Sequence, residues 1–257
     1  MKALVTGAAR RIGREIALYL AGRGYDVAVH YASSADDAAR TVADITALGR
    51  RAAALHADLL DETQLDTLIS RAAAALGGPL TLLVNNASIF EYDNITTATR
   101  KSWDRAIGSN LRAPFVLTQG FAAQAPKAQI VDGEPVAQAL ILNMIDQRVL
   151  KPTPEFMSYS LAKMGLWALT RTAAQALAPH VRVGGIGPGP TVQGTRQSDS
   201  HFARQRAATV LQRGAGPADI CTAVGFFIDS PAVTGQMIAV DGGQHLAWAT
   251  PDVLGVE

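Results

Sequence analysis

Among 257 residues only Cys221 carries a thiol, so no internal disulfide can form. That agrees with a reducing compartment, and a soluble cytoplasmic protein is expected. Cys221 itself reads most plainly as a small residue on a helix. Aromatic residues are scarce too, at 6%. The core must therefore be built mainly from Ala, Val, Leu and Ile, as when helices cover a parallel sheet. Neither sign of charge is in excess: 23 Lys and Arg against 22 Asp and Glu give a net charge of +1. Such a balance leaves no electrostatic footprint for nucleic acid or an anionic membrane. A run of about 18 apolar residues is also missing, so no membrane-spanning helix is expected. The N-terminus goes straight into a strand-like run, and no signal peptide is read there. No clustered metal ligands stand out, and no metal is expected.

What the chain does have is an alternation. Short apolar runs at 3–6, 26–31, 52–57, 80–85, 138–145, 181–186 and 236–240 are predicted as strands. Helical patterns lie between them at 12–23, 35–48, 62–76, 101–124, 155–178 and 217–229. Strands alternating with helices imply βαβ units with right-handed crossovers. The predicted architecture is α/β, a single-domain doubly wound (Rossmann) parallel sheet of about seven strands with helices on both faces, over residues 1–257. No repeat or linker divides it. The segment 125–135 reads as a surface connection. The segment 187–206, opening on Gly187-Pro188-Gly189-Pro190, reads as a mobile loop and candidate substrate lid, because ligands of open α/β sheets bind beyond the carboxyl ends of the strands.

Tyr159 and Lys163 stand four residues apart on a predicted helix, so they share one face. A free phenol titrates near pH 10. A fixed cation beside it favours the phenolate, which would let the pair pass a proton near neutral pH. Alone, the pair could equally be a solvated helix face.

The first strand runs into Thr6-Gly7-Ala8-Ala9-Arg10-Arg11-Ile12-Gly13 and then a helix. Such a turn lets backbone N–H groups approach a pyrophosphate at the helix N-terminus. Arg10 and Arg11 oppose the helix dipole there, unless an anion lies opposite. After the second strand, NAD-binding proteins place an acid for the ribose hydroxyl. Here the residues are His30-Tyr31-Ala32-Ser33-Ser34, with no acid before Asp36. Arg11, Ser33 and Ser34 would welcome a 2′-phosphate, which points to NADP(H). A solvated basic corner is the alternative for the arginines. His30 reads as a packing or cofactor-edge residue.

Together these residues resemble the short-chain dehydrogenase/reductases over nearly the whole chain. The resemblance also draws on Asp58-Leu59, Asn85-Asn86-Ala87, Asn110, Pro188-Gly189 and Asp241-Gly242-Gly243. Within that family the chain is similar to the pteridine and dihydromonapterin reductases. It shares their Arg in the turn (Arg11), the run His30-Tyr31-Ala32-Ser33, the run Asn85–Ser88 with Phe90 beyond it, and Asp146. Most family members carry a catalytic Ser where Asp146 stands, thirteen residues before Tyr159.

The resemblance implies the following roles. Tyr159 gives or relays the proton. Lys163 lowers the Tyr159 pKa and holds the nicotinamide ribose, and Asn110 anchors a water leading from Lys163 to solvent. Gly7, Ile12, Asn86, Ala87, Pro188 and Gly189 line the cofactor site. Asp58, with Leu59 beside it, meets the adenine. Phe90 stacks on a flat bicyclic substrate, while Ser88 and Arg11 touch substrate and cofactor together. Asp146 shares in delivering a proton to nitrogen, more so if burial raises its pKa. A homotetramer formed through the helices around 110–124 and 159–178 is also implied.

The expected activity is NADPH-dependent reduction of a dihydropterin such as dihydromonapterin, or of dihydrofolate. A ketone or aldehyde reductase is the alternative, against which the missing Ser counts. A non-catalytic NADP(H)-binding regulator is the alternative from another class, and it would need no proton relay. Gly184 departs from the family's Asn, and residues 190–206 match no pattern that could be carried over. His201, Phe202 and Trp248 read as loop or contact residues.

Overall fold

The computed structural model of the chain describes residues 1–194 and 197–248. The sheet is made of strands β1 (Lys2–Val5), β2 (Asp26–Tyr31), β3 (Ala52–His56), β4 (Leu82–Asn85), β7 (Ala139–Met144), β8 (Val181–Pro188) and β9 (Met237–Val240). Their order is β3-β2-β1-β4-β7-β8-β9, and every pairing is parallel. The strand order reverses beside β1, which opens a crevice at the carboxyl ends of β1 and β4.

Central strands such as β4 and β7 are buried along their full length, hence their unbroken apolar runs. One face is covered by α1 (Arg11–Gly22), α2 (Ala35–Ala47) and α8 (Pro217–Asp229), packed on Val5, Val29, Val84 and Leu142. The other is covered by α3 (Glu62–Leu76), α5 (Ala113–Gln124) and α6 (Met157–Leu177), packed on Leu4, Leu83 and Ile141. Helix α1 meets the sheet through Ile16, Ala17 and Leu20, one stripe of an amphipathic helix. Cys221 is buried on α8, and burial pushes its thiol up to about 11, as suits an inert core residue.

Four expectations change. The predicted helix at 101–124 divides into α4 (Arg100–Ile107), a π-helical turn (Gly108–Arg112) and α5. The segment expected as a plain connection at 125–135 contains an antiparallel hairpin, β5 (Gln129–Val131) with β6 (Glu134–Val136). The hairpin turns at Asp132-Gly133, both at positive φ, where glycine carries no Cβ penalty. Part of the expected lid loop is helical, α7 (Asp199–Ala207), capped by the Ser198 hydroxyl accepting from His201 N–H; residues 195–196 of that loop lie outside the described residues. Finally, α6 begins at Met157, because Phe156 before it takes a left-handed conformation at φ 54.

The Gly184 departure has a packing reason. A Cβ there would lie 2.5 Å from Cε1 of Phe227 on α8. Among the described residues, no helix is long and apolar enough to cross a membrane, and no cluster of metal-ligating side chains occurs.

Candidate active site and cofactor cleft

The turn after β1 is braced from three sides. Thr6 Oγ1 accepts from the N–H groups of Asn86 and Ala87 at 2.9 Å each. Asn86 Nδ2 donates to the carbonyls of Thr6 (2.8 Å) and Gly7 (3.2 Å). His30 is buried, accepts from Gly7 N–H at Nδ1 (3.0 Å), and thereby donates from Nε2 to the Ala57 carbonyl at 3.0 Å. Burial lowers the His30 pKa to about 4, so the ring stays neutral in this role. His30 therefore shapes the cofactor edge from behind. Gly13 passes so close to the Gly7 carbonyl that a Cβ would collide with it.

The cleft beside this turn has a volume of about 460 Å³. It brings together Gly7, Arg10, Arg11, Ile12, His30, Tyr31, Ser33, Ser34, Asp58, Leu59, Asn86, Ala87 and Ser88. Leu60, Ile89 and Ser109 line it as well; sequence reasoning passed over them, although Leu60 and Ile89 directly follow singled-out motifs. Tyr159, Lys163, Pro188 and Gly189 lie outside this lining.

The donor set fits a phosphorylated dinucleotide. Helix α1 has no acid in its first turn, Arg10 has no ion-pair partner among the described residues, and Asp58 is the one carboxylate among the described lining residues. Arg11, at φ 57, reaches across the cleft and donates to the carbonyls of Gln193 (2.8 Å) and Val192 (3.2 Å). It thus ties the cofactor turn to the loop after β8.

Helix α6 places Tyr159 and Lys163 on one face, 6% and 2% exposed. The Tyr159 hydroxyl donates to Asp146 Oδ2 at 2.7 Å. Asp146 follows β7, and its Oδ1 accepts from Arg148 N–H at 2.8 Å. Burial drives the Asp146 carboxyl upward, and hydrogen bonds from Arg148 and Tyr159 oppose it only in part.

The expected lowering of the Tyr159 pKa by Lys163 is reversed here. Burial, and then the Asp146 carboxylate, raise the phenol well above its ordinary value. The Lys163 ammonium lies 5.6 Å from the Tyr159 ring centroid and donates to the Met144 carbonyl at 2.8 Å. Its own pKa is lowered to about 8 by burial, partly offset by Asp146.

The π-helical turn carries Asn110, which is fully buried. Its Nδ2 donates to the carbonyls of Ile89 and Ala106 at 3.0 Å each. Its Oδ1 accepts from the Ser88 hydroxyl at 2.6 Å. Asn110 thus holds Ser88 and takes up its hydroxyl proton in that hydrogen bond. Among the described residues no direct hydrogen bond joins Asn110 to Lys163.

The wall beside Tyr159 is aromatic. Phe90 stands edge-on to Tyr159, with ring centroids 4.7 Å apart. It stacks on Phe156 at 4.2 Å and 7°. The Arg148 guanidinium lies over both rings, 5.1 Å from Phe156 and 5.9 Å from Phe90. Asp93 holds this wall to α6. Its carboxylate accepts from Ser158 N–H (3.0 Å) and the Ser102 hydroxyl (3.0 Å), and its carbonyl from Met157 N–H (3.2 Å). Burial acts to raise the Asp93 pKa, but those hydrogen bonds prevail and hold it low.

Phe156, Arg148 and Asp93 were not singled out in the sequence. For Arg148 the signal was its place two residues after Asp146; for Phe156 there was none. His201 and Trp248 are exposed, and Phe202 lies against Arg206 at 5.5 Å.

Comparisons with known proteins give the family. The family model described as short chain dehydrogenase matches residues 1–204. A 3-oxoacyl-[acyl-carrier-protein] reductase of Staphylococcus aureus is 32% identical over 95% of this chain and 98% of its own. The solved structure of FolM alternative dihydrofolate reductase 1 from Brucella suis, in complex with NADP, is 42% identical with a TM-score of 0.91 and covers 98% of both chains. An angucycline C-6 ketoreductase structure with bound NADP is 29% identical with a TM-score of 0.86, covering 95% of each chain. With its doubly wound sheet, braced glycine turn and Tyr159–Lys163 pair, the chain belongs to the short-chain dehydrogenase/reductase family.

Proposed function

We propose that this oxidoreductase is a pteridine reductase, acting on a dihydropterin such as dihydromonapterin or on dihydrofolate. Its cofactor is NADP(H), held along the cleft from Ser33 and Ser34 past Arg10, Arg11 and Gly7 to Ser88. The observation that carries the reading is the 2.7 Å hydrogen bond between Tyr159 and Asp146, made beside the Phe90 ring. The likeness to FolM supports it.

Bound NADPH supplies the hydride for the carbon of a substrate C=N bond. The nitrogen then needs one proton, and Tyr159 with Asp146 can hold and move it. Burial keeps the phenol protonated, so Tyr159 holds a proton to give, and the Asp146 carboxyl hydrogen-bonded to it, itself pushed upward, can share that proton. Lys163, with a pKa of about 8, is still charged at neutral pH and offsets negative charge on the pair. In this reading it also holds the nicotinamide ribose, as the family resemblance implies. Asn110 is a positioning residue that acts through Ser88. Phe90 offers an apolar edge for a flat ring system.

A ketone reductase is the second reading, favoured by the likeness to the Staphylococcus enzyme. NADPH oxidation measured in parallel with dihydropterin, dihydrofolate and simple ketones separates the two. The pteridine reading expects fast turnover of a dihydropterin and little of ketones, with Asp146→Ser shifting the preference toward ketones. Turnover of ketones alone overturns it.

We also propose a homotetramer, supported by apolar Trp103, Phe115 and Leu161, which lie exposed on α4, α5 and α6 of the single chain. A monomeric mass by light scattering would rule it out.

A further inference from the structure

Arg148 differs from arginines such as Arg105 and Arg112, which are paired with carboxylates. Arg105 is paired with Glu91 at 3.0 Å, and Arg112 with Glu62 at 2.9 Å. Arg148 is half-buried, yet among the described residues it forms no ion pair with a carboxylate. Its charge is felt by the Asp146 carboxyl nearby, but no carboxylate is bonded to the guanidinium itself, which leaves N–H donors of the fork open.

What holds the guanidinium is geometry. Its Nη1 donates to Thr153 Oγ1 at 2.7 Å, and its Cζ lies 5.1 Å from the Phe156 ring centroid and 5.9 Å from that of Phe90. Planar stacking and a fixed fork suit Arg to bidentate capture of an anion. The same Phe90 ring stands edge-on to Tyr159, so one ring touches both the guanidinium and the proton donor. A flat substrate lying along Phe90, with its reacting nitrogen at Tyr159, would send any long substituent past the Phe90–Phe156 stack.

We propose that Arg148 is a specificity-determining residue that takes an anionic group on the tail of the substrate. The site then favours a dihydropterin whose tail ends in a carboxylate or phosphate over one whose tail is a neutral polyol. This rests on the pteridine reading and deepens it by naming the class of tail.

The test compares three substrates with NADPH: 7,8-dihydrofolate for the carboxylate tail, a phosphate ester of a dihydropterin triol, and the neutral triol itself. In the natural chain, kcat/KM for at least one anionic substrate is expected to exceed that for the neutral triol. Arg148→Met keeps the apolar stem and removes the charge. It is expected to lower the ratio of anionic to neutral kcat/KM about tenfold or more, mostly through KM. Arg148→Lys is expected to recover part of that ratio. Which anionic substrate loses more identifies the source as carboxylate or phosphate. An unchanged ratio in Arg148→Met, with the natural chain active on dihydropterins, overturns the role of Arg148 alone. No activity of the natural chain on any of the three overturns the pteridine reading and this inference together.

Discussion

At the cofactor end, Thr6, His30 and Asn86 converge on one tight turn, and each sits on or just beyond a strand of the parallel sheet. At the substrate end, Phe90, Arg148 and Phe156 come from three segments outside the sheet and meet mainly through ring contacts. The first region is held by directional hydrogen bonds to the turn itself, whereas the second is stacked ring on ring, with hydrogen bonds only at its margins, from Arg148 to Thr153 and through Asp93 to α6. A turn that must present N–H groups to phosphates tolerates little displacement, whereas loops on a rigid scaffold are where binding preference can vary. The Tyr159–Asp146 pair lies between the two, anchored by α6 on one side and by the end of β7 on the other.

The sharpest division between the regions should come from Tyr159→Phe. It removes the transferable proton and leaves the cofactor cleft intact. Turnover is expected to fall about 10²- to 10⁴-fold while NADPH affinity, followed by fluorescence titration, holds. Turnover near that of the natural chain would remove Tyr159 from the mechanism.

A smaller effect tests the brace at the cofactor end. His30 has a folded pKa of about 4 against an ordinary value of 6.5. Between those values the unfolded chain binds more protons than the folded one, so stability rises with pH across this window. On acidification from 6.5 toward 4 it is lost, by about 3 kcal/mol in all from this one group. Denaturant unfolding at a series of pH values should show that slope, and His30→Gln should flatten it. Parallel slopes in the two proteins would mean that His30 titrates normally.

The smallest effect belongs to the substrate end. Phe156→Gly relieves a left-handed backbone conformation while losing the Phe90 stack, two changes of opposite sign in stability. Unfolding free energy should move by less than about 1 kcal/mol, while KM for the pterin rises several-fold. A large loss of stability with KM unchanged would make this wall structural, and the contrast between the two ends would fail.

Much of the scaffold was legible because its signals are local. Buried parallel strands announce themselves as unbroken apolar runs, and the predicted 26–31 strand coincides with β2 (Asp26–Tyr31). Gly7 and Gly13 were readable because a close backbone approach excludes a Cβ. The hairpin of β5 and β6 escaped because two three-residue strands carry no usable periodicity. The lid-side helix α7 escaped for a different reason: its sequence buries no residue, so no apolar stripe marks it.

The sequence by itself determined the fold class, the glycine turn after β1, the absence of an acid after β2 and the shared face of Tyr159 and Lys163. Each follows from neighbours within a few residues or from one helical turn. Only the tertiary structure decided the direction of the Tyr159 pKa. Desolvation depends on everything packed around the phenol, and Asp146 reaches it from just beyond β7, thirteen residues upstream. Likewise it took the fold to bring Arg148 and Phe156 against Phe90, because contacts between segments remote in sequence leave no local pattern to read.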